Sequence, residues 1–212
     1  MQAMNRMYGW QHVFYDLTRK PYLLGRDRLI AELAPSVGSC VLEVGCGTGR
    51  NLVAAARMWP EAKFYGYDIS SVMIEHARKA VARAGLERQI FLTQGDACAF
   101  DAISTFGVCK FERVYFSYVL SMIPSWRKAL SEAALLLRQG TSLHIVDFGD
   151  QRDLGLVSRT ILNKWLSLFD VTPRMDLQTE LKALALEHGL YESCRHIHNG
   201  YAVVSTLKRP AN

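Results

Sequence analysis

Apolar residues along the chain follow two alternating rhythms. Short apolar runs of strand length fall at Cys40–Val44, Lys63–Tyr67, Gln89–Thr93, Arg113–Ser117 and Ser142–Asp147. Between and after them, apolar positions three and four apart predict helices near Leu52–Met58, Ser70–Ala84, Trp126–Leu137, Leu154–Phe169 and Leu177–His188. Two more strands, near Tyr191–His198 and Tyr201–Leu207, flank a His198-Asn199-Gly200 turn and read as an antiparallel hairpin at the sheet edge. Strands separated by helices predict an α/β fold, its seven-stranded, mostly parallel sheet covered on both faces.

Composition narrows this picture. At 212 residues and 50% hydrophobic content the chain suits a single domain, since a split would leave halves too small for these elements. Within it, residues 1–38 read as an N-terminal helical lid, 39–150 as a ligand-binding core, and 151–212 as acceptor-site helices with the closing hairpin. The start MQAMNRMYGWQHVFYDL lacks the features of a signal peptide, and no run approaches the ~18 apolar residues of a spanning helix. A cytoplasmic, non-integral protein is the expectation. Five cysteines (Cys40, Cys46, Cys98, Cys109, Cys194) without a C-x-x-C pair suggest reduced thiols. A net charge of +5 suits an anionic partner, which charge alone leaves open among nucleic acid, an acidic small molecule and an anionic membrane. His144 lies in a strand and His196 and His198 alternate along another, and with no third ligand nearby no metal site is expected.

The chemistry concentrates at VLEVGCGTGRN, residues 41 to 51, where an apolar strand runs through Gly45-Cys46-Gly47-Thr48-Gly49 into a helix. Glycines there let the backbone turn tightly and approach a ligand, while the helix N-terminus adds oriented N–H groups. The spacing is G-x-G-x-G with Glu43 ahead of it, not the G-x-G-x-x-G of dinucleotide sites. This form resembles motif I of the class I S-adenosylmethionine-dependent methyltransferases, a Rossmann-like family, and implies that cofactor. Gly45, Cys46, Gly47 and Glu43 would cradle it. Asp68, ending the next strand, is placed to accept ribose hydroxyls, and Ile69 to pack on adenine. In QGDA, Asp96 and the Ala97 backbone resemble the family's adenine-binding position, and Ser117 and Tyr118 occupy the place beside the methionine moiety. Singly, Asp68 reads equally as a helix N-terminal acid and Asp96 as a turn residue; their order at successive strand ends favours the cofactor.

The segment after the fourth strand, Ser117-Tyr118-Val119-Leu120, lacks the [N/D/S]-P-P-[F/Y] of nucleobase amino methyltransferases, and no glutamate pair of the protein-arginine enzymes is present. Nucleic acid and arginine acceptors are therefore disfavoured. Methyl transfer needs positioning more than acid or base groups, and aromatic faces suit a reaction that carries positive charge throughout. After the fifth strand, apolar residues including Trp165, flanked by Arg152, Arg159 and Lys164, suit either a bilayer headgroup zone or burial against the N-terminal segment.

Together, YDLTRKPYLLGRDRLI near the N-terminus, VLEVGCGTGRNL, DFGDQ and WLSLFDVTPRMDL resemble the bacterial methyltransferases that convert diacylglyceryl-homoserine to the betaine lipid diacylglyceryl-N,N,N-trimethylhomoserine by three N-methylations. Pro21 departs from that pattern by breaking a helix between Lys20 and Tyr22. The resemblance implies a peripheral enzyme on the inner membrane face, with a lipid partner and a possible homo-oligomer. It also implies that Tyr15 faces the sulfonium and that Arg19 and Arg26 serve carboxylates. Tyr22, Arg152, Trp165 and Arg174 would contact substrate, and Tyr15 or Tyr118 would accept a proton through water. Phosphatidylethanolamine N-methylation, quinone C-methylation and a cofactor-binding regulatory subunit are the alternatives.

Overall fold

The computed structural model describes residues 23–151 and 171–211, with 155, 159, 160, 162, 164 and 166 as separate positions. In chain order its elements are α1 Arg26–Leu33, β1 Cys40–Val44, α2 Arg50–Met58, β2 Lys63–Asp68, α3 Ser71–Ala84, β3 Ile90–Gln94, α4 Ala102–Phe106 and β4 Arg113–Ser117. A 3₁₀ turn Leu120–Met122 follows, then α5 Trp126–Leu135, β5 Ser142–Phe148, α6 Leu177–His188, β6 Tyr191–Ile197 and β7 Ala202–Lys208. Within the expected Leu154–Phe169 stretch, positions 159, 160, 162, 164 and 166 are helical, and Leu162 and Leu166 are buried. Of the expected lid, residues 1–22 lie outside the described part, and α1 with the turn before it supplies the rest.

The sheet order is β3-β2-β1-β4-β5-β7-β6. Strands β1 to β5 pair in parallel, and β7 runs antiparallel to both β5 and β6. The chain moves from β1 through β2 to β3 on one side, then returns to place β4 on the other side of β1. That reversal opens a crevice beyond the carboxyl ends of β1 and β4, where such sheets bind ligands.

The two faces of the sheet follow from strand alternation. Val41 and Tyr115 face α1, α2 and α3, joining Leu29, Leu52, Ala55 and Ile74 in one core. Leu42, Val44, Val114 and Phe116 face the other way, against Trp126 and Leu130 of α5 and Leu177 and Leu181 of α6. Glu43 alternates with Val44 and lies opposite Tyr115 in the β1–β4 register. A carboxyl group is thereby placed at the strand end on an otherwise apolar face.

Most predicted strands agree with the structure to within a residue. The hairpin does lie at the sheet edge, but its second strand is the inner one: β7, nearly all buried, sits between β5 and the alternating β6. The charged and polar β6 takes the edge, where its unpaired backbone meets water. Helix α4 and the 3₁₀ turn were not predicted, because pieces of five and three residues are too short to show a period. Asp101 caps α4 by accepting from Ser104 N at 2.9 Å.

Candidate active site

The site starts with the loop after β1. Gly45 N and Cys46 N both donate to the Tyr67 carbonyl, at 2.9 and 3.0 Å. Gly47 N donates to Asp68 Oδ2 at 2.9 Å, and Ser70 N to Asp68 Oδ1 at 2.9 Å. The acid ending β2 therefore holds the loop that follows β1 as well as starting α3. Glycine is demanded by space at position 45, where φ is +70° and a Cβ would lie 2.4 Å from a Val119 methyl. At Gly47, φ +52°, a Cβ would meet nothing within 4 Å, so the missing side chain leaves open room above the loop.

That room belongs to a cavity of about 340 Å³ at the topological reversal, lined by the ends of β1, β2 and β4 and the loop after β3. Eleven residues singled out from the sequence come together around it: Arg26, Glu43, Gly45, Cys46, Gly47, Asp68, Ile69, Asp96, Ala97, Ser117 and Tyr118. Tyr15, Arg19, Tyr22, Arg152 and Trp165 lie outside the described residues.

Electrostatics divide the cavity. Glu43 is fully buried, and burial pushes its carboxyl up to about 8, opposed by the Asn51 amide, which donates to Oε1 at 2.9 Å. The Tyr115 hydroxyl across the ladder is near enough to oppose that rise as well, yet neither it nor Glu43 Oε2 makes a hydrogen bond of ordinary geometry. Burial also raises the Asp68 carboxyl, partly offset by the Ser70 and Gly47 N–H groups, and lifts the Cys46 thiol well above its usual range. Asp96 Oδ1 accepts from Cys98 N at 2.9 Å, fixing the loop after β3. An adenosine carrying a cationic amino-acid tail fits this set. The unpartnered Glu43 oxygen and the Arg26 guanidinium are complementary to an ammonium and a carboxylate, the open space over Gly47 admits close approach, and Asp68, Ile69 and Asp96 suit the nucleoside.

Two expected roles change. The Tyr118 phenol is buried and donates to the Leu24 carbonyl at 2.6 Å, and burial raises its pKa well above the usual value. With its proton so committed, Tyr118 is a wall and a tie to the segment before α1, not a proton acceptor. Arg174 does not line the cavity. Its Nε donates to Leu120 O at 3.1 Å and its Nη2 to Ile123 O at 2.8 Å, while Thr172 N donates to Ser121 O at 3.0 Å. Its guanidinium braces the 3₁₀ turn instead of meeting a substrate carboxylate. Asp147, at the end of β5, holds the same turn through Ser121 N at 3.2 Å, and burial raises its carboxyl to about 6.

The sequence reading missed Arg50, Asn51, Met73 and the wall formed by Met122, Ile123 and Ser125. Arg50 and Asn51 directly follow the glycine loop, so their position was a usable signal. The wall has none, because it depends on Asp147 and Arg174 folding the turn over the crevice.

Residues 41–140 match the family described as "Methyltransferase domain". A phosphatidylethanolamine N-methyltransferase from Cereibacter sphaeroides is 34% identical over 147 residues, covering 69% of this chain and 68% of that protein. An O-methyltransferase, rstn1, from Aspergillus nomiae is 30% identical over 193 residues, covering 86% and 81%. Other curated relatives are longer, and the chain spans only 19% and 44% of two of them. Among solved structures, an O-methyltransferase family protein from Burkholderia thailandensis superposes with a TM-score of 0.73 at 16% identity, covering 98% of this chain and 62% of that one, a likeness of fold. With the glycine loop, the acids at the strand ends and these relatives agreeing, the chain belongs to the class I S-adenosylmethionine-dependent methyltransferases.

Proposed function

We propose that the protein transfers methyl groups from S-adenosylmethionine to the amine of a lipid headgroup, diacylglyceryl-homoserine being the acceptor the sequence favours. The observation that carries this reading is the 34% identity, over about two thirds of both chains, with a relative whose name is phosphatidylethanolamine N-methyltransferase. The N-terminal run and the VTPR segment add the preference for an acceptor with its own carboxylate.

Bound in the cavity, the cofactor supplies an electrophilic methyl group on a sulfonium. The chain's residues orient and enclose. Asp68 and Asp96 hold the nucleoside end, Glu43 and Arg26 the amino-acid end, and the loop amides tied to Tyr67 and Asp68 keep the cradle rigid. Tyr118 forms the wall at the end of β4 and continues into Phe148 and Tyr201, ring centroids 4.8 and 5.9 Å apart along the series. Of these rings only Tyr118 borders the cavity, and its face suits a cationic ammonium product without supplying a base. The primary amine and each methylated intermediate must lose a proton before attacking, and the Tyr118 hydroxyl, committed to the Leu24 carbonyl, does not take it.

A second reading, O-methylation of a small molecule, is favoured by the greater coverage of the Aspergillus relative. Incubation with labelled S-adenosylmethionine and a total lipid extract, followed by mass spectrometry, separates the two. Label in a trimethylated homoserine headgroup is expected. Label only in phosphatidylethanolamine derivatives, in a methyl ether or on a quinone ring overturns the acceptor assignment.

A further inference from the structure

Among the described residues lining the cavity are two arginines, Arg26 and Arg50, and only the first was anticipated. Arg50 begins α2, directly after the glycine loop. Its Nη1 is buried and makes no hydrogen bond, and its ion pair is a loose one, Nη2 to Asp27 Oδ1 at 3.8 Å, with the Asp27 side chain 83% exposed. Arg26 differs: it is buried, donates from Nε to Leu23 O at 3.2 Å, and stands close enough to Glu43 to lower that carboxyl's proton affinity. A guanidinium nitrogen withdrawn from water without an acceptor carries a desolvation cost that an anionic ligand would offset. A planar fork of donors is shaped for a carboxylate.

We propose that Arg50 is a seat for a ligand carboxylate, giving the cavity a second cationic position beside Arg26. The cofactor has one carboxylate, and Arg26 with Glu43 already forms a complement to its zwitterionic end. Two ligands carry the matching chemistry, the amino-acid tail of the cofactor and, resting on the function proposed above, an acidic acceptor headgroup. Arg174, braced on backbone carbonyls, does not compete for either.

Calorimetric titration separates the two sources without relying on turnover. S-adenosylhomocysteine and 5′-methylthioadenosine share the adenosine and the sulfur, but only the first has a carboxylate. If Arg50 holds the cofactor's tail, Arg50→Ala weakens S-adenosylhomocysteine by about 10- to 100-fold, as loss of a charge-assisted hydrogen bond does, and leaves 5′-methylthioadenosine unchanged. If Arg50 holds the acceptor, both nucleosides bind as to wild type. Co-sedimentation of the S-adenosylhomocysteine-loaded protein with phosphatidylcholine vesicles containing diacylglyceryl-homoserine then falls, while that with phosphatidylethanolamine vesicles does not. Arg50→Lys, keeping the charge and losing the fork, gives an intermediate loss in whichever arm responds, and melting temperatures monitor the fold of both variants. Equal weakening of both nucleosides, or no change in any arm, overturns the proposal. If the wild-type protein binds neither lipid, the lipid reading fails by itself and the nucleoside pair alone decides the role of Arg50.

Discussion

Replacing Glu43 by glutamine tests the electrostatic reading of the cavity directly. The carboxyl is fully buried, and burial moves its proton affinity from the usual 4.5 up to about 8. The sign follows from linkage: between these values the native state holds a proton that the unfolded chain has released, so stability is full below pH 4.5 and is lost as pH rises toward 8. At about 1.4 kcal/mol per pH unit, Glu43 alone removes up to about 5 kcal/mol across that window. The amide introduced by Glu43→Gln cannot ionise, and its oxygen can still accept from Asn51. Near pH 5 the variant should therefore match the wild type within about 1 kcal/mol, its excess stability growing to several kcal/mol by about pH 8.5. Urea unfolding of both proteins at the two pH values measures this. Taking the difference removes Asp147 and His144, which burial shifts to about 6 and about 4, because they titrate equally in both proteins. A wild-type-to-variant difference that stays constant across the range would refute the claim that Glu43 is proton-loaded in the ligand-free protein.

The remaining predictions concern the cradle and its wall. Tyr118→Phe removes the 2.6 Å bond to Leu24 and should cost about 1 kcal/mol of stability while leaving the pH profile of turnover unchanged; a new pH dependence would restore the phenol as a proton acceptor. Gly45→Ala combines a left-handed backbone with a Cβ 2.4 Å from Val119, so at least about 1–3 kcal/mol of strain should appear as a lower melting temperature and weaker S-adenosylhomocysteine binding. Asp68→Asn keeps at most one of the two loop bonds, to Gly47 and Ser70, and should weaken S-adenosylhomocysteine by about 10-fold or more in calorimetry. Unchanged affinity there would remove Asp68 from both the loop tie and the nucleoside.

Much of this protein was present in its sequence. Period two against period 3.6 separates the strands from the helices, and a strand ending in G-x-G-x-G reads as a sharp turn into a helix because glycine adopts left-handed backbone angles without strain. Glu43, Asp68 and Asp96 each fall at a strand end, so parallel strands alone bring them to one edge of the sheet, around one cavity. What spacing could not convey is which partners a side chain meets from distant parts of the chain. Arg174 looked free to bind substrate until the fold committed its donors to carbonyls about fifty positions earlier, at Leu120 and Ile123. Tyr118 looked available as a base until the Leu24 carbonyl, 94 residues away, accepted a hydrogen bond from its hydroxyl. Arg50 lay unremarked beside the glycine loop until folding left one of its nitrogens buried without a partner. The layers, the strand ends and the kind of ligand are legible in the linear chain, because they follow from local geometry and alternation. Which charged and polar groups remain available for that ligand is settled only on folding, because desolvation and hydrogen-bond competition depend on neighbours that only the folded chain supplies.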